Sequence, residues 1–223
     1  MALRGVIFDM DGTITAPYFD FAKIKDEAGI GDVDMLEYLR QATGEEYERI
    51  HAILMKFEED GVAAAKVNRG ARTVLDALAK RRIPTALLTR NSRKSVDGVC
   101  RKLKLDFDIT ITREDGPHKP APEAIWQIAK RWGLKRRELL MVGDYKWDVL
   151  CANNAGIRCA VLINGDPMPE WATGAQFVIR RLTEVIDIID RNAVGRGTSR
   201  GGARRTAPAQ VSGPTTRQRK SPA

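Results

Sequence analysis

The sequence predicts an α/β fold: a doubly wound parallel sheet with a small helical unit inserted after the first strand. Three observations carry this. Short apolar runs alternate with amphipathic helical patterns, the mark of βαβ units. The runs read as continuously apolar, as strands covered on both faces do. Finally, the first run ends near Asp9 and the second begins near Ile83, far more chain than a one-helix crossover needs and too long for a structureless loop. At 223 residues the chain has room for one core and a smaller accessory unit.

Taken in order, the strands are expected at about 4–9, 83–89, 108–112, 139–143, 158–163 and 176–179. Helices are expected near 71–81, 93–104, 121–132, 147–155 and 183–191. In the segment 121–132, Ala124, Ile125, Ile128, Ala129 and Trp132 recur at helical spacing, which makes them core positions. Pro122 suits its first turn and Gly133 its stop. The insert reads as three helices, about 20–28, 33–42 and 45–66, with Tyr47, Ile50, Ile53, Leu54 and Phe57 as an apolar stripe. Trp126 and Trp132 are given no catalytic role.

The net charge of +8 is a property of the tail rather than of the fold. Seven basic residues and no acidic one lie in 192–223, so residues 1–191 are nearly neutral. The tail is rich in Gly, Ser, Thr, Pro and Arg and cannot bury enough surface to offset ordering entropy, so it is expected to be disordered. Nucleic acid is expected as a partner only through this segment, by simple charge attraction. No run reaches the roughly 20 apolar residues that cross a bilayer, and the N-terminus enters the first strand too soon for a signal peptide. Cys100, Cys151 and Cys159 have no metal-ligand spacing and are expected to be reduced and mostly buried in a cytoplasmic protein. Nothing in the sequence fixes the oligomeric state.

Four stations carry chemistry. The first strand ends in Asp9-Met10-Asp11-Gly12-Thr13, two carboxylates where open α/β sheets bind ligands. Their like charges demand a cation or a shared proton. The second strand ends in Leu88-Thr89-Arg90-Asn91; Lys119-Pro120-Ala121-Pro122 opens a helix; and the fourth strand leads into Gly143-Asp144-Tyr145-Lys146-Trp147-Asp148.

This succession resembles the haloacid dehalogenase superfamily over residues 3–190, and specifically its phosphatase branch with a small helical cap, that of the phosphoglycolate phosphatases. The resemblance implies a Rossmann-like core in 1–15 and 70–191 and a cap in 16–69. It assigns Asp9 as the nucleophile that forms an aspartyl-phosphate, and Asp11 as the acid that protonates the leaving group and then activates water. Dehalogenases of the superfamily lack this second acid, so its presence points to phosphoryl chemistry. Mg²⁺, a hard cation that prefers oxygen, is implied with the Asp9 and Asp144 carboxylates and the Asp11 backbone carbonyl as ligands. Asp148 is expected to orient that set from behind, or to cap the helix that follows, or both. Thr89 and Asn91 are expected to donate to the phosphoryl oxygens, Lys119 to neutralise their charge, and Arg90 to point to substrate or to solvent. Tyr145 and Trp147 stand where the family favours smaller side chains and are expected to narrow the pocket mouth.

The function so implied is a Mg²⁺-dependent phosphatase of a small phosphorylated metabolite, with 2-phosphoglycolate as the named candidate. A sugar phosphomutase, which also uses Asp-x-Asp, is the nearest alternative. Phosphonate cleavage would need a cap lysine among Lys23, Lys25, Lys56 and Lys66. From a different class, a non-catalytic or nucleic-acid-tethered binding module would use the basic tail; the intact motif acids speak against it.

Overall fold

All six apolar runs form strands in the computed structural model, which describes residues 2–18, 21–165 and 167–193. In chain order the elements are β1 (Gly5–Phe8), α1 (Phe21–Ala28), α2 (Met35–Gln41), α3 (Gly44–Ala64), α4 (Ala71–Lys80), β2 (Thr85–Leu88), α5 (Arg93–Leu103), β3 (Ile109–Ile111), α6 (Glu123–Trp132), β4 (Leu139–Gly143), α7 (Lys146–Ala155), β5 (Arg158–Leu162), β6 (Phe177–Ile179) and α8 (Glu184–Ala193). Strands are up to three residues shorter than their apolar runs, because pairing stops before the run does. Two short 3₁₀ turns, Arg136–Glu138 and Glu170–Gly174, had no periodic signature to announce them.

The sheet is parallel throughout, in the order β3-β2-β1-β4-β5-β6. The chain builds outward from β1 in one direction, then returns to its other side with β4. The crevice between β1 and β4, at their carboxyl ends, is therefore the switch point where such sheets bind ligands. Alternate residues of each strand feed opposite faces. Val6, Phe8, Leu140 and Val142 pack with Val74, Leu78, Val96 and Val185 under α4, α5 and α8. Ile7, Leu139 and Met141 pack with Ile125, Ile128 and Val149 under α6 and α7. Burial on both faces explains the unbroken apolar runs.

Helix ends differ slightly from their sequence expectations. Pro122 sits just outside α6 as its N-cap. The last helix runs two residues further than expected, to Ala193, so the tail boundary moves. Asn192 is held there by Arg158, whose Nη1 donates to its Oδ1 at 2.6 Å, and by its own Nδ2 bond to the Ile188 carbonyl at 2.8 Å. The expectation of disorder beyond that point lies outside the described residues. No helix among the described residues is long and apolar enough to cross a membrane.

The insert leaves and rejoins the core side by side. Thr15 pairs antiparallel with Val67, and Ala16 N–H donates to the Lys66 carbonyl and Asn68 N–H to that of Ile14, each at 2.9 Å. Helices α1 to α3 share a small core of Ala28, Ile30, Leu39 and Ile50. Tyr47, first in the expected stripe, lies instead on the surface, stacked on His51 at 5.4 Å. The far half of α3 docks on α5. Val62 packs so closely on Gly98 that a Cβ there would meet it at 3.0 Å, Lys94 pairs with Glu59 at 2.5 Å, and Lys102 donates to the Val62 and Ala63 carbonyls.

Candidate active site

The pairing of Phe8 with Val142 brings the ends of β1 and β4 together, and Asp9 N–H extends it by donating to the Val142 carbonyl at 2.9 Å. The chain then turns sharply at Gly12, φ +74°, where a Cβ would lie 1.9 Å from the Asp144 carboxylate. Gly143 is equally obligatory: a Cβ there would sit 2.2 Å from Cγ of Asp148. The two glycines let three acids crowd one corner. The Gly12 carbonyl is held by the side-chain amides of Asn68 at 3.0 Å and Asn164 at 2.7 Å, and Thr15 Oγ1 donates to the Met10 carbonyl at 3.1 Å. Asn68 and Asn164 went unremarked in the sequence, because isolated asparagines in turns have no motif. Thr13 and Thr15 lie within the first motif, where only its acids were assigned roles.

Lys119, only 3% exposed, bridges two acids, donating to Asp9 at 2.5 Å and to Asp148 at 2.7 Å. Asp148 accepts in addition from the backbone N–H of Tyr145 at 3.1 Å, so it caps α7 and orients the lysine at once. Of its two expected roles, the helix cap is seen directly. Asp144 accepts from Thr13 Oγ1 at 3.1 Å. Asp11 accepts from Asn91 Nδ2 at 2.6 Å and from Thr15 Oγ1 at 3.3 Å.

The electrostatics of the corner are unbalanced, with four carboxylates around one lysine. Burial, then the charges of Asp9 and Asp148, push the Asp144 carboxyl up to about 8. Burial and the charge of Asp9 push Asp11 up to about 7. Asp148 rises to about 6 by burial, although Lys119 pulls the other way. Burial works against the charge of Lys119, but Asp148 and Asp9 outweigh it and hold its pKa above the ordinary lysine range. Raised carboxyl pKa values signal surplus negative charge that a cation would relieve. Asp9, Asp144 and Asp148 each offer a ligand atom, all within 4.8 Å of one another, a hard-oxygen set suited to a metal ion. Asp148 thus lies closer to this set than a position behind it suggests, although both its oxygens are already engaged.

Thr89, buried at the end of β2, accepts from Asn91 N–H at 3.2 Å, which leaves its hydroxyl hydrogen free to donate. Arg90 points neither to solvent nor into the acid cluster. Its Nη1 and Nη2 donate to Asp34 of the insert at 2.9 and 2.5 Å, its guanidinium lies 5.4 Å from the Trp147 ring centre, and its buried Nε has no acceptor. The loop carrying these residues is braced from outside. Arg113 donates from its backbone N–H to the Asn91 carbonyl and from Nη1 to the Arg90 carbonyl, each at 3.2 Å. Glu58 of α3 pairs with Arg113 and accepts from the backbone and hydroxyl of Ser92. His118 bonds the Lys119 carbonyl at 2.9 Å, and neither it nor His51 lines the cavity.

A cavity of about 400 Å³ opens above the corner. Asp9, Asp11, Thr89, Lys119 and Asp144 line its floor, Ile24, Met35, Leu36 and Leu54 of the insert its roof, and Tyr145 and Trp147 its side. The position of the last two fits the expected narrowing.

Comparison with known proteins agrees with this geometry. The family described as haloacid dehalogenase-like hydrolase matches residues 16–162. A haloacid dehalogenase-like hydrolase domain-containing protein of Arabidopsis thaliana is 31% identical over 209 residues, covering 85% of each chain. Phosphoglycolate phosphatase 1 of Pseudomonas aeruginosa is 29% identical over 222 residues, covering 85% of this chain and 81% of its own. Among solved structures, a hydrolase from Pseudomonas syringae superposes with a TM-score of 0.70 at 23% identity, covering 84% of this chain and 98% of its own, which is a likeness of fold.

Proposed function

The chain belongs to the haloacid dehalogenase-like hydrolase family, and on that premise we propose that it is a Mg²⁺-dependent phosphatase of a small phosphate monoester, working through an aspartyl-phosphate on Asp9. The observation that carries the proposal is the pair Asp9 and Asp11. Asp9 is aimed by Lys119, while Asp11 has a pKa of about 7, so it holds a proton for a leaving group near neutrality. A carboxylate oxygen of Asp9 attacks phosphorus as the bond to the leaving oxygen breaks, and that oxygen takes the Asp11 proton. Water then attacks the same phosphorus and gives up a proton to Asp11 as the Asp9–phosphorus bond breaks. Thr89 donates its hydroxyl to a phosphoryl oxygen, and Lys119 offsets the negative charge beside it. Asp9 and Asp144, with Asp148 beside them and the Asp11 carbonyl, would hold Mg²⁺, which supplies charge neutralisation to the phosphoryl group.

The same reading assigns residues 1–15 and 70–191 to the catalytic core and 16–69 to the cap. Buried, free Cys151 and Cys159 suit a reducing compartment, and the cytoplasm is the proposed location. Release of inorganic phosphate from a panel of monoesters, with Mg²⁺ and with EDTA, tests the proposal and separates hydrolysis from phosphomutase transfer. Asp9→Asn should lower kcat by at least about a thousandfold, with the fold retained by circular dichroism. Full activity in EDTA, or an Asp9→Asn enzyme within tenfold of the parent, would remove the mechanism.

A further inference from the structure

Resting on the phosphatase reading, we propose that the cavity selects monoesters whose leaving group is uncharged, with an apolar body, because Asp34 already holds both outer nitrogens of Arg90, the guanidinium that a carboxylate would need. An arginine fork is the usual receptor for a carboxylate, through two parallel N–H bonds. Here both outer nitrogens of Arg90 are given to Asp34. Asp34 cannot easily withdraw, since it also accepts from the backbone N–H groups of Leu36 and Glu37 at 3.1 and 3.2 Å as the N-cap of α2. A substrate carboxylate taking its place would leave Asp34 part-buried beside a second negative charge.

The other cations of the cavity are engaged as well, Lys119 most tightly. Lys119 is bound between Asp9 and Asp148. Lys25 donates to the Asp32 carbonyl at 3.0 Å, and Lys146 lies over the Trp147 ring at 4.9 Å. Seven carboxylates and four cations line the cavity in all; with the proton that Asp11 holds, the formal charge is −2, which a divalent ion cancels. A phosphoryl group brings negative charge to that field, and a second anion is repelled. What remains is an apolar roof of Ile24, Met35, Leu36 and Leu54. An uncharged, apolar leaving group meets that roof.

The test compares 2-phosphoglycolate with its primary amide, which match in size and differ in charge, using the full chain with Mg²⁺ and 4-nitrophenyl phosphate as the reference monoester. The amide should be preferred at least tenfold in kcat/KM, mostly through KM. In Asp34→Asn, which keeps a good N-cap and frees the fork, the preference should move at least tenfold toward the carboxylate. Arg90→Gln is the second variant: with the fork already spent, it should not shift the preference toward the amide. If the parent takes phosphoglycolate as well as the amide, or Arg90→Gln loses phosphoglycolate selectively, the inference fails while the phosphatase reading stands. Hydrolysis of none of the three esters overturns that reading and the inference with it.

Discussion

The α/β core and the three-helix insert meet across one cavity but are stabilised by different means. In the core, both faces of the sheet are sealed by helices, and the acids at its carboxyl edge inherit that rigidity. Among the described residues, the insert buries Ala28, Ile30, Leu39 and Ile50 in a cluster of its own. Polar ties add to its hold on the core: Asp34 to Arg90, Glu58 to Arg113 and Ser92, Glu59 to Lys94. Close packing resists sub-ångström displacement, which bond-making at phosphorus requires. Polar ties fix register and partner but tolerate changes of shape. On the proposed function, the difference assigns the reaction to the packed side and the choice of leaving group to the tied side.

The hardest blow to this contrast should come from the smallest change. Gly12→Ala places a methyl where the Asp144 carboxylate now sits and adds strain at positive φ. We expect kcat/KM to fall at least about a hundredfold with the fold retained; near-normal turnover would mean that the corner is not rigid. Glu58→Ala probes the contrast from the other side, because an insert residue there supports a core loop. It strands Arg113, whose side chain is 13% exposed, and should lower stability by about 3–5 kcal/mol in urea unfolding, with a raised KM. A loss below about 1 kcal/mol would make the brace incidental.

Ile50→Ala, at the centre of the insert, should cost about 2–4 kcal/mol. The loss should appear as faster amide exchange confined to α1, α2 and the first half of α3. Faster exchange in the sheet as well would merge the two regions into one cooperative unit. The gentlest test uses pH. With no cation bound, Asp144 and Asp148 titrate at about 8 and about 6, against about 3.9 for an unfolded aspartate. The folded state then carries more protons than the unfolded one, so this site's contribution to stability falls as pH rises from about 4 through 8. Mg²⁺ displaces those protons. The Tm gained on replacing EDTA with Mg²⁺ should therefore be larger, by a few degrees, at about pH 8.5 than at about pH 5.5. Equal gains would detach the acids from the metal.

How much of this was legible in the sequence follows the same division. Strands covered on both faces write themselves as apolar runs, so all six were readable. Asp9, Asp11, Thr89, Asn91, Lys119 and Asp144 stand in motifs at strand ends or ahead of a helix, which is what singled them out, and all six line the cavity. The ties between insert and core were not readable. Asp34 with Arg90 and Glu58 with Arg113 join residues more than fifty positions apart, and a single charged residue on a helix looks the same whether it faces water or a buried partner. Tyr47 failed for a related reason: periodicity identifies a face of a helix but not where along its length the neighbouring helices stop.

The root of the insert bears on how freely the insert can vary. Because Thr15 and Val67 are already paired, the ends of any segment grafted between them are held together by the core itself. Lengthening such a loop costs only about 0.6 kcal/mol for each doubling, and neither Asp9 nor Asp144 has to move. What hangs from this root can therefore change in length or content while the acids beneath keep their places.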